Sequence, residues 1–488
     1  MPNGRSYKSD ESFLEKISIG ATGTRFVFSD LKSQGHQPIE LERGSRSFKI
    51  WKDIKIKRVR VPDILCIDCG RRIESRAKTK LEISMSHSTS NAERGWDSGL
   101  NNEDYVAFVR CSKIGERPID WTAVAPAYYV AVREMRKAYK SKQVIQEKPK
   151  GAQEGFEIRL KWPSVVAKAN GTIAAVSDSR VQYKRGIDDR TISVRLKQKG
   201  IDLRPLIITG EIVNEGQFLA SAVSVHREFA CDKDKTYKDY VKLLKSPSVS
   251  DRYSAAKALS HYDSKDSADA LRDKIADARD HIYVRLEAAA SLMRRGQKEG
   301  IEFLTQIVHD EYLENRLEGV IILGEISKGD SAKLLQEVLL DREQHPEIRA
   351  GAAWALGELC KPETLDSLVR AFVGVEKSIQ IEAARALAKI AESHSEKVMN
   401  LFADATGEQR AGIAWALTKR GSIGMDRILD NMVDDDSRQW LAYLIGSRKP
   451  EEYVSEIEKL KRKDPEVYFA VTVLWKIISS WVYGLEEY

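Results

Sequence analysis

The sequence contains few cysteines and lacks long apolar runs, and both shortages limit the class of protein. Five cysteines in 488 residues are too few for the disulfide framework of a secreted domain, so we expect a reducing cytoplasm. Residues 1–13 contain no apolar core of a secretory signal. The most apolar stretch, residues 467–483, includes Lys476 and predicts a buried closing helix rather than a membrane span.

Several motifs of nucleotide and hydrolytic chemistry are also absent. The chain has no Walker A sequence, GxGxxG, HExxH or GxSxG, so we expect no nucleotide cofactor and no ATP-driven or dinucleotide chemistry. Its length predicts two or three domains. With 42% hydrophobic and 31% charged residues, the composition is typical of folded globular domains.

Charge is unevenly distributed along the chain. Residues 1–240 contain 44 basic and 31 acidic side chains and have a net charge of +13. Residues 241–488 have a net charge of −7, which gives +6 for the whole chain. A basic front half indicates a polyanion partner such as nucleic acid. Ordinary surface charge is the alternative.

An internal repeat dominates the second half, with a period of 28 to 33 residues. Each unit has Arg or Gln, then mostly small residues, then an aliphatic residue seven positions later. The units are Arg252–Leu259, Arg285–Leu292, Arg316–Leu323, Arg349–Leu356, Gln380–Leu387, Arg410–Leu417 and Arg438–Ile445. Small residues at helical spacing let neighbouring helices pack closely. The pattern resembles the short bacterial type of the HEAT family, which implies an all-α solenoid over residues 235–488 that docks a protein partner.

Two positions of this repeat carry residues of interest. The recurring arginine resembles the HEAT position that bonds an acidic residue or a carbonyl in a structural ladder. A phosphate-binding face is the alternative, and the acidic balance of this half argues against it. Trp354 and Trp415 occupy the same repeat position, where packing is favoured over stacking on bases.

The first half changes to the period of two that is typical of strands. Residues 48–66 and 71–84 alternate apolar and charged side chains and predict two strands joined by a turn. Residues 104–111 predict a third strand, and residues 126–142 a basic amphipathic helix. Residues 1–142 therefore predict an α+β domain.

Pro62-Asp63 on the first strand and Glu74-Ser75-Arg76 on the second, followed by Lys78, resemble the PD-(D/E)xK nuclease superfamily. The resemblance implies that Asp63 and Glu74 hold Mg²⁺ and that Arg76 or Lys78 stabilises the phosphate. The basic residues expected to contact nucleic acid are Lys55, Lys57, Arg58, Arg60, Arg71, Arg72 and Lys80.

This sequence departs from that pattern at two places. Arg76 stands where lysine is usual, and arginine does not easily lose a proton. Lys78 lies one pleat further along the strand. An inactive nuclease-like binding domain and a strand with a solvated charged face are the alternatives.

Cys66 and Cys69 have the spacing of half a zinc knuckle. His87 and Cys111 would complete a four-ligand zinc site if the third strand returns beside the turn. Inert turn cysteines are an equal alternative, and a redox dithiol is disfavoured because no βαβ pattern surrounds the pair.

The middle of the chain predicts a small β module. Residues 143–155 are polar, contain Pro and Gly, and indicate a linker. Residues 156–232 return to strand patterning, and the stretch around Gly210 and Gly216 resembles a lipoyl-like barrel-sandwich hybrid. Without a Met-Lys-Met signature it predicts a spacer or a basic surface rather than a carrier.

Together these features predict a multidomain protein with an α+β N-terminal domain, a small β module and a C-terminal all-α HEAT-repeat solenoid. The favoured function is a prokaryotic, cytoplasmic, DNA-interacting protein. It would be a Mg²⁺-dependent nuclease whose solenoid docks a protein partner, as in phage defence. The alternative is a non-catalytic HEAT adaptor that binds nucleic acid or protein. A phycobilisome-lyase-type enzyme is a third hypothesis, disfavoured because the solenoid shows no clustered polar residues.

Overall fold

The structure is a computed structural model that describes residues 10–41, 54, 56–148, 157–327 and 330–485. The chain divides into two compact units, residues 1–43 with 58–267, and residues 44–57 with 268–488. The expected order, a strand-rich N-terminal region followed by an all-helical repeat region, is confirmed.

The first unit is built on a five-stranded sheet covered by one long helix. The helix is α1 (Asp10–Ser33), and the strands are β1 (Pro38–Glu40), β2 (Ile64–Cys66), β3 (Arg72–Lys78), β5 (Tyr105–Lys113) and β6 (Trp121–Ala131), in the order β1-β2-β3-β5-β6. Only β3 and β5 pair in parallel. Ile73 and Val109 face Val27 and Leu31 of α1 in a buried core, because alternate strand residues share one face.

A second, three-stranded sheet lies in the same unit. It contains β4 (Ile83–Ser88), β7 (Ile145–Glu147) and β8 (Glu157–Trp162) in the order β4-β8-β7, and it packs with α2 (Val132–Lys140). Trp162 is fully buried and donates a hydrogen bond to the carbonyl of Met135 in α2, 3.1 Å away. The expected linker at 143–155 therefore contains a strand, and residues 157–162 pair with β4 rather than with the β module.

Two expected elements of the α+β domain have different bounds. Within the described part of residues 48–66, only Ile64–Cys66 form a strand, because β1 is three residues long and offers no further pairing partner. The helix expected over 126–142 begins at Val132, because residues 126–131 continue β6 and pair with β5. That pairing buries Tyr129 completely.

The middle of the chain forms a small antiparallel β module with its own core. Its strands are β9 (Ser164–Val166), β10 (Gly171–Val176), β11 (Arg180–Arg185), β12 (Thr191–Arg195), β13 (Lys197–Gln198), β14 (Ile201–Asp202), β15 (Arg204–Pro205), β16 (Ile212–Val213) and β17 (Phe218–Ser221). They form sheets β12-β11-β10-β16 and β15-β17-β9 and the hairpin β13-β14. Ile173, Val181, Tyr183 and Leu219 are buried between them. The likeness to a lipoyl-like hybrid stays a prediction.

The rest of the chain is helical. The helices are α3 (Tyr237–Leu243), α4 (Val249–Ala258), α5 (Lys265–Ala276), α6 (Ile282–Arg294), α7 (Lys298–Ile307), α8 (Leu313–Glu325), α9 (Ser331–Leu340), α10 (Pro346–Leu359), α11 (Leu365–Arg370), α12 (Lys377–Asn400), α13 (Gly407–Arg420), α14 (Met425–Asp430), α15 (Asp435–Gly446), α16 (Ile457–Lys463) and α17 (Pro465–Leu485). Six of the predicted repeat motifs lie on the second helix of a pair, and the seventh lies on α13, which follows the short helical part of α12 beyond the kink at His394. Helices α3 and α4 belong to the first unit.

Small residues bring successive second helices into close contact. A Cβ atom added to Gly324 of α8 would lie 2.7 Å from the Cβ of Ala355 in α10. A Cβ atom added to Gly357 of α10 would lie 2.8 Å from the Cα of Ala386 in α12. Both distances are shorter than van der Waals contact, so glycine is required at these helix crossings.

The part of α17 whose side chains the structure describes, residues 465–477, is half buried rather than fully buried as expected. Val467 and Val471 are buried, whereas Phe469 is 69% exposed. The difference arises because apolar residues in this part of the helix also occupy positions that α15 and α16 do not cover, among them Val473 and Ile477. Among the described residues, no helix combines the length and apolar character needed to cross a membrane.

Gly357→Ala tests the close contact between α10 and α12. The added methyl group meets backbone and Cβ atoms of Ala386, so we expect the free energy of unfolding to fall by about 1–3 kcal/mol. The matched control is Gly20→Ala in α1, where an added Cβ meets no atom within 4 Å. There, better helix propensity should raise stability by about 0.5–1 kcal/mol. Urea denaturation followed by circular dichroism measures both, and stabilisation by Gly357→Ala would contradict the packing.

Candidate functional site

The carboxylates expected to hold Mg²⁺ lie at the neighbouring strands β2 and β3, and each has a partner within the protein. Asp63 immediately precedes β2, and its Oδ2 atom accepts a hydrogen bond from the Ser75 amide of β3, 2.6 Å away. Glu74 lies on the same face of β3 as Arg76 and pairs with it at 2.5 Å. In the described part of the chain, neither carboxylate belongs to a group of three or more residues that could hold a metal ion.

Lys78, at the end of β3, lies in a group of cations that surrounds one carboxylate. Glu82 pairs with Lys78 at 3.1 Å, with Lys161 at 3.7 Å, and with Arg159. We call Lys78, Glu82, Arg159 and Lys161 the Glu82 cluster. Burial, and then the charges of Arg159, Arg76 and Lys161, lower the pKa of Lys78 to about 7. An anion that entered this cluster would therefore meet a surplus of positive charge.

No sequence pattern indicated that two residues of the Glu82 cluster, Arg159 and Lys161, would lie near Lys78. Arg159 and Lys161 lie on β8, about eighty positions after Lys78, and reach the cluster because β8 pairs with β4. The register sets Arg159 opposite Ser86 and Lys161 opposite Ser84. Pairings over such a distance are not specified by local alternation.

The basic residues expected to contact nucleic acid differ in burial and in their ion-pair partners. Arg72 is 3% exposed and pairs with Asp104 at 2.7 Å and Asp251 at 3.1 Å, so it is a structural residue and cannot reach a ligand. Arg71 pairs with Asp232 at 2.6 Å. Lys57, Arg60 and Lys80 are exposed, Arg58 is half-buried, and Lys55 lies outside the described residues.

Cys66 and Cys69 occupy the turn between β2 and β3. The Gly70 amide donates to the Cys66 carbonyl at 2.8 Å, and the Cys66 amide donates to the Arg71 carbonyl at 2.9 Å. Gly70 adopts a φ of +70°, a conformation that glycine reaches without strain. These bonds turn both thiols toward the same side. A hydrogen bond from the Cys69 thiol lowers the pKa of the Cys66 thiol below its ordinary value.

His87 and Cys111, the two further zinc ligands expected from the sequence, lie away from this turn. The Nδ1 atom of His87, in β4, accepts a hydrogen bond from the Trp96 amide, 3.3 Å away. Cys111, in β5, is buried beside α1, and burial raises its pKa to about 11. The expected set is corrected at these two positions, because β4 leaves the sheet of β3 and Cys111 faces the α1 side of the sheet.

His36 and Cys231, instead of His87 and Cys111, lie next to the two turn cysteines. One donor atom from each of His36, Cys66, Cys69 and Cys231 lies within 4.8 Å of every other. The Nε2 atom of His36 donates to the Phe229 carbonyl at 2.9 Å. Its Nδ1 atom therefore presents a lone pair to the thiols and lies 3.6 Å from the Sγ atom of Cys69. Among the described residues, this is the one group of three or more side chains suited to a metal ion.

The helical region contains a groove of about 400 Å³ between α10, α12 and α13. Trp354, Arg385 and Trp415 line it, together with Lys389 and Lys419. The Nζ atom of Lys419 lies 5.7 Å from the centre of the Trp415 ring, within the range of a cation–π contact. The two tryptophans are half-buried, so part of each indole remains available to a ligand.

The HEAT-repeat family model matches residues 238–316 and 304–388. The helical region contains HEAT repeats. Similar solved structures include the CpcE–CpcF complex of phycocyanin lyase from Nostoc sp. PCC7120, with 17% identity over 49% of this chain and 95% of that chain and a TM-score of 0.27. The HEAT-like repeats protein from Thermococcus onnurineus NA1 has 16% identity over 44% and 97% of the two chains and a TM-score of 0.23. Kap121p has 14% identity over 46% of this chain and 28% of that chain, with a TM-score of 0.29. No curated protein matches the sequence.

The recurring arginine of the HEAT repeats holds the two helices of one repeat together. Arg285 donates to the Ile275 carbonyl at 2.9 Å, and Arg349 donates to the Leu339 carbonyl at 2.9 Å. These carbonyls end the preceding helix and have no partner within it. Gln380, which replaces arginine in its repeat, donates to the Phe372 carbonyl at 2.8 Å. The expected structural role therefore holds for these residues.

The lowered pKa of Lys78 leads to a pH-dependent prediction. The lysine binds its proton up to about pH 10.5 when unfolded but only up to about pH 7 when folded. At and below pH 7, burial of the protonated lysine therefore lowers the free energy of unfolding. This destabilisation decreases as the pH rises toward 10.5. We expect Lys78→Met to raise the free energy of unfolding by roughly 1–3 kcal/mol at pH 6.5 and by less at pH 9.5, as measured by urea denaturation. Lys80→Met, an exposed neighbour, is the control, and an equal effect of Lys78→Met at both pH values would contradict the assignment.

Proposed function

We propose that the protein is a non-catalytic adaptor whose HEAT repeats dock an acidic segment of a partner protein. The groove lined by Trp354, Arg385 and Trp415 carries this proposal. These three residues each stand five positions after the structural residue of their repeat, namely Arg349, Gln380 and Arg410. The same position in successive repeats thus gives a continuous row of side chains that a single extended segment can follow.

The chemistry of the row suits protein recognition. Tryptophan and arginine are the residues that most often dominate binding energy in protein interfaces. Arg385 pairs with Glu382 at 2.5 Å, and Glu382 is 5% exposed, so the guanidinium is held in place before a ligand arrives. Such preorganisation lowers the entropy lost on binding.

The cations around the groove favour an acidic partner. Lys389 and Arg420 line it on either side and pair with Glu358 and Glu392. Lys419 contacts the ring of Trp415. An acidic side chain placed between these cations would gain several charge-assisted hydrogen bonds, whereas a basic one would be repelled.

Arg385→Glu should weaken the binding of acidic peptides by roughly tenfold or more, because it places a like charge against the ligand. The probes are fluorescein-labelled peptides that contain Asp, Glu and one aromatic residue. Fluorescence anisotropy measures their dissociation constants, and peptides with Lys and Arg at the acidic positions test the sign of the charge.

Lys298→Glu is the matched control for this experiment. It makes the same change in net charge at a side chain that is 81% exposed and does not line the groove. The proposal predicts unchanged binding for this variant. Equal affinity for acidic and basic peptides, or binding that Arg385→Glu leaves intact, would contradict it.

A metal-dependent nuclease is the second candidate, and the Glu82 cluster is the observation that favours it. Its Lys78 lies on the same strand as Glu74 and Arg76, and Arg159 and Lys161 of β8 add the positive charge that a phosphate backbone would need. Asp63 and Glu74 would hold Mg²⁺, which in such sites activates water and polarises the phosphate. The Ser75 amide already occupies one oxygen of Asp63, which makes this candidate the weaker one.

Incubation with plasmid and linear DNA separates the two candidates. The adaptor proposal predicts no cleavage in Mg²⁺, Mn²⁺ or EDTA. Cleavage that requires the metal and disappears in Glu74→Gln would establish the nuclease instead. We choose Glu74 because Asp63 supports the backbone of β3, so that its replacement would also disturb the fold. Glu103→Gln, 80% exposed, is the matched control and should behave as the unmodified protein does.

A further inference from the structure

We infer that His36, Cys66, Cys69 and Cys231 bind one structural zinc ion, which fixes the chain segment that leads into the HEAT repeats. The ligands come from three distant parts of the chain. His36 follows α1, Cys66 ends β2 and Cys69 follows it, and Cys231 lies between β17 and α3.

The separations of the donor atoms agree with a tetrahedral zinc site. With zinc about 2.3 Å from sulfur and about 2.0–2.1 Å from nitrogen, a tetrahedron separates two sulfurs by about 3.8 Å, and a sulfur from a nitrogen by about 3.6 Å. The Sγ atoms of Cys66 and Cys231 are 3.7 Å apart. The Sγ atom of Cys69 is 3.6 Å from Nδ1 of His36. Three thiolates and one imidazole are a common ligand set for zinc.

The surroundings of the four side chains hold them in this arrangement. The hydrogen bond from His36 to the Phe229 carbonyl fixes the ring orientation, as second-shell bonds do in known zinc sites. Arg71 donates to the Ala230 carbonyl and to Asp232, on either side of Cys231. Its positive charge would also offset the excess negative charge of three thiolates around a divalent ion.

The arrangement suits a structural ion rather than a catalytic one. The chain supplies four ligands, which complete the tetrahedral shell and leave no position for water or substrate. His36, Cys66 and Cys69 are buried and Cys231 is half-buried. The ion would cross-link residues 165 positions apart, and so restrict the unfolded chain as a long-range disulfide does.

The chain on either side of Cys231 is attached to the sheet by backbone hydrogen bonds and by the ring of Phe229, which stacks on Tyr105 with the ring centres 4.8 Å apart. The Phe229 amide donates to the side chain of Gln34 at 3.0 Å, and the Lys235 amide donates to the Asp68 carbonyl at 2.9 Å. Between these bonds the exposed Lys233 adopts a φ of +51°. Loss of the ion should therefore free this segment first, and trypsin should cut after Lys233.

The test is the metal content of the full-length protein, purified under reducing conditions and reconstituted with zinc alone. We expect about one zinc per chain by elemental analysis, and about a tenth of that or less in Cys231→Ser and His36→Gln. The matched controls are His87→Gln, Cys111→Ser and Cys360→Ser, which remove a histidine or cysteine outside the cluster and should keep the ion.

Two further measurements on the unmodified protein keep the inference testable if a ligand variant fails to fold. Cobalt(II) should substitute for zinc and give the intense visible absorption of a tetrahedral thiolate site. Removal of zinc by a chelator should speed tryptic cleavage after Lys233 about tenfold or more, and added zinc should reverse the effect. Absence of bound metal, zinc lost with His87→Gln or Cys111→Ser rather than Cys231→Ser, or a disulfide between Cys66 and Cys231 in the reduced preparation would overturn the inference.

Discussion

The arrangement of the first unit depends on the turn at residues 66–70. This turn meets the end of α1 through His36, the segment before α3 through Cys231, and the first helical repeat through two tyrosines. The hydroxyls of Tyr240 and Tyr262 both donate to the Ile67 carbonyl, at 2.8 and 3.0 Å. One short loop thus receives contacts from parts of the chain that are distant in sequence. Its geometry therefore affects how the first repeat packs, and the metal ion proposed at this turn would fix that geometry.

In the HEAT repeats, the position that bonds a helix carbonyl and the position five residues later have separate roles. Arg285, Arg349 and Gln380 satisfy helix carbonyls that would otherwise lack partners. This requirement constrains one position per repeat and leaves the position five residues later open to variation. There the chain has Ala290 and Ile321, both fully buried, in two repeats, and Trp354, Arg385 and Trp415, all at least partly exposed, in the next three. Binding chemistry can therefore change in a few repeats while the packing of the solenoid stays the same.

The sequence predicted the features that repeat locally, and it failed where distant strands had to pair. The HEAT repeats were predictable because small and apolar residues recur at helical spacing in unit after unit. Cys66 and Cys69 were recognisable from their spacing. His36 and Cys231 were not, because each stands alone in sequence and only the fold brings it to the turn. Arg159 and Lys161 were not predicted to join Lys78 for the same reason. The β4–β8 register that places them there depends on residues far apart in the sequence.

The alternation of apolar and charged residues also led to a wrong strand prediction in the first half of the N-terminal domain. Alternating lysines and aliphatic residues fit an extended segment as well as a strand, and within the described part of residues 48–66 only three residues find a pairing partner. Arg72 looked like part of a basic face, yet it is buried against Asp104 and Asp251. A buried arginine between two carboxylates satisfies its charge internally, and a one-dimensional pattern cannot distinguish it from an exposed one.

X-ray absorption at the zinc K-edge of the full-length protein tests the central claim most directly. The metal ion proposed at the turn should show three sulfur neighbours at about 2.3 Å and one nitrogen at about 2.0 Å. The pattern should include the outer-shell scattering of an imidazole, which only His36 can supply at this cluster. Four sulfur neighbours, or a shell made only of oxygen and nitrogen, would contradict the ligand set and with it the role of Cys231 in fixing the start of the HEAT repeats.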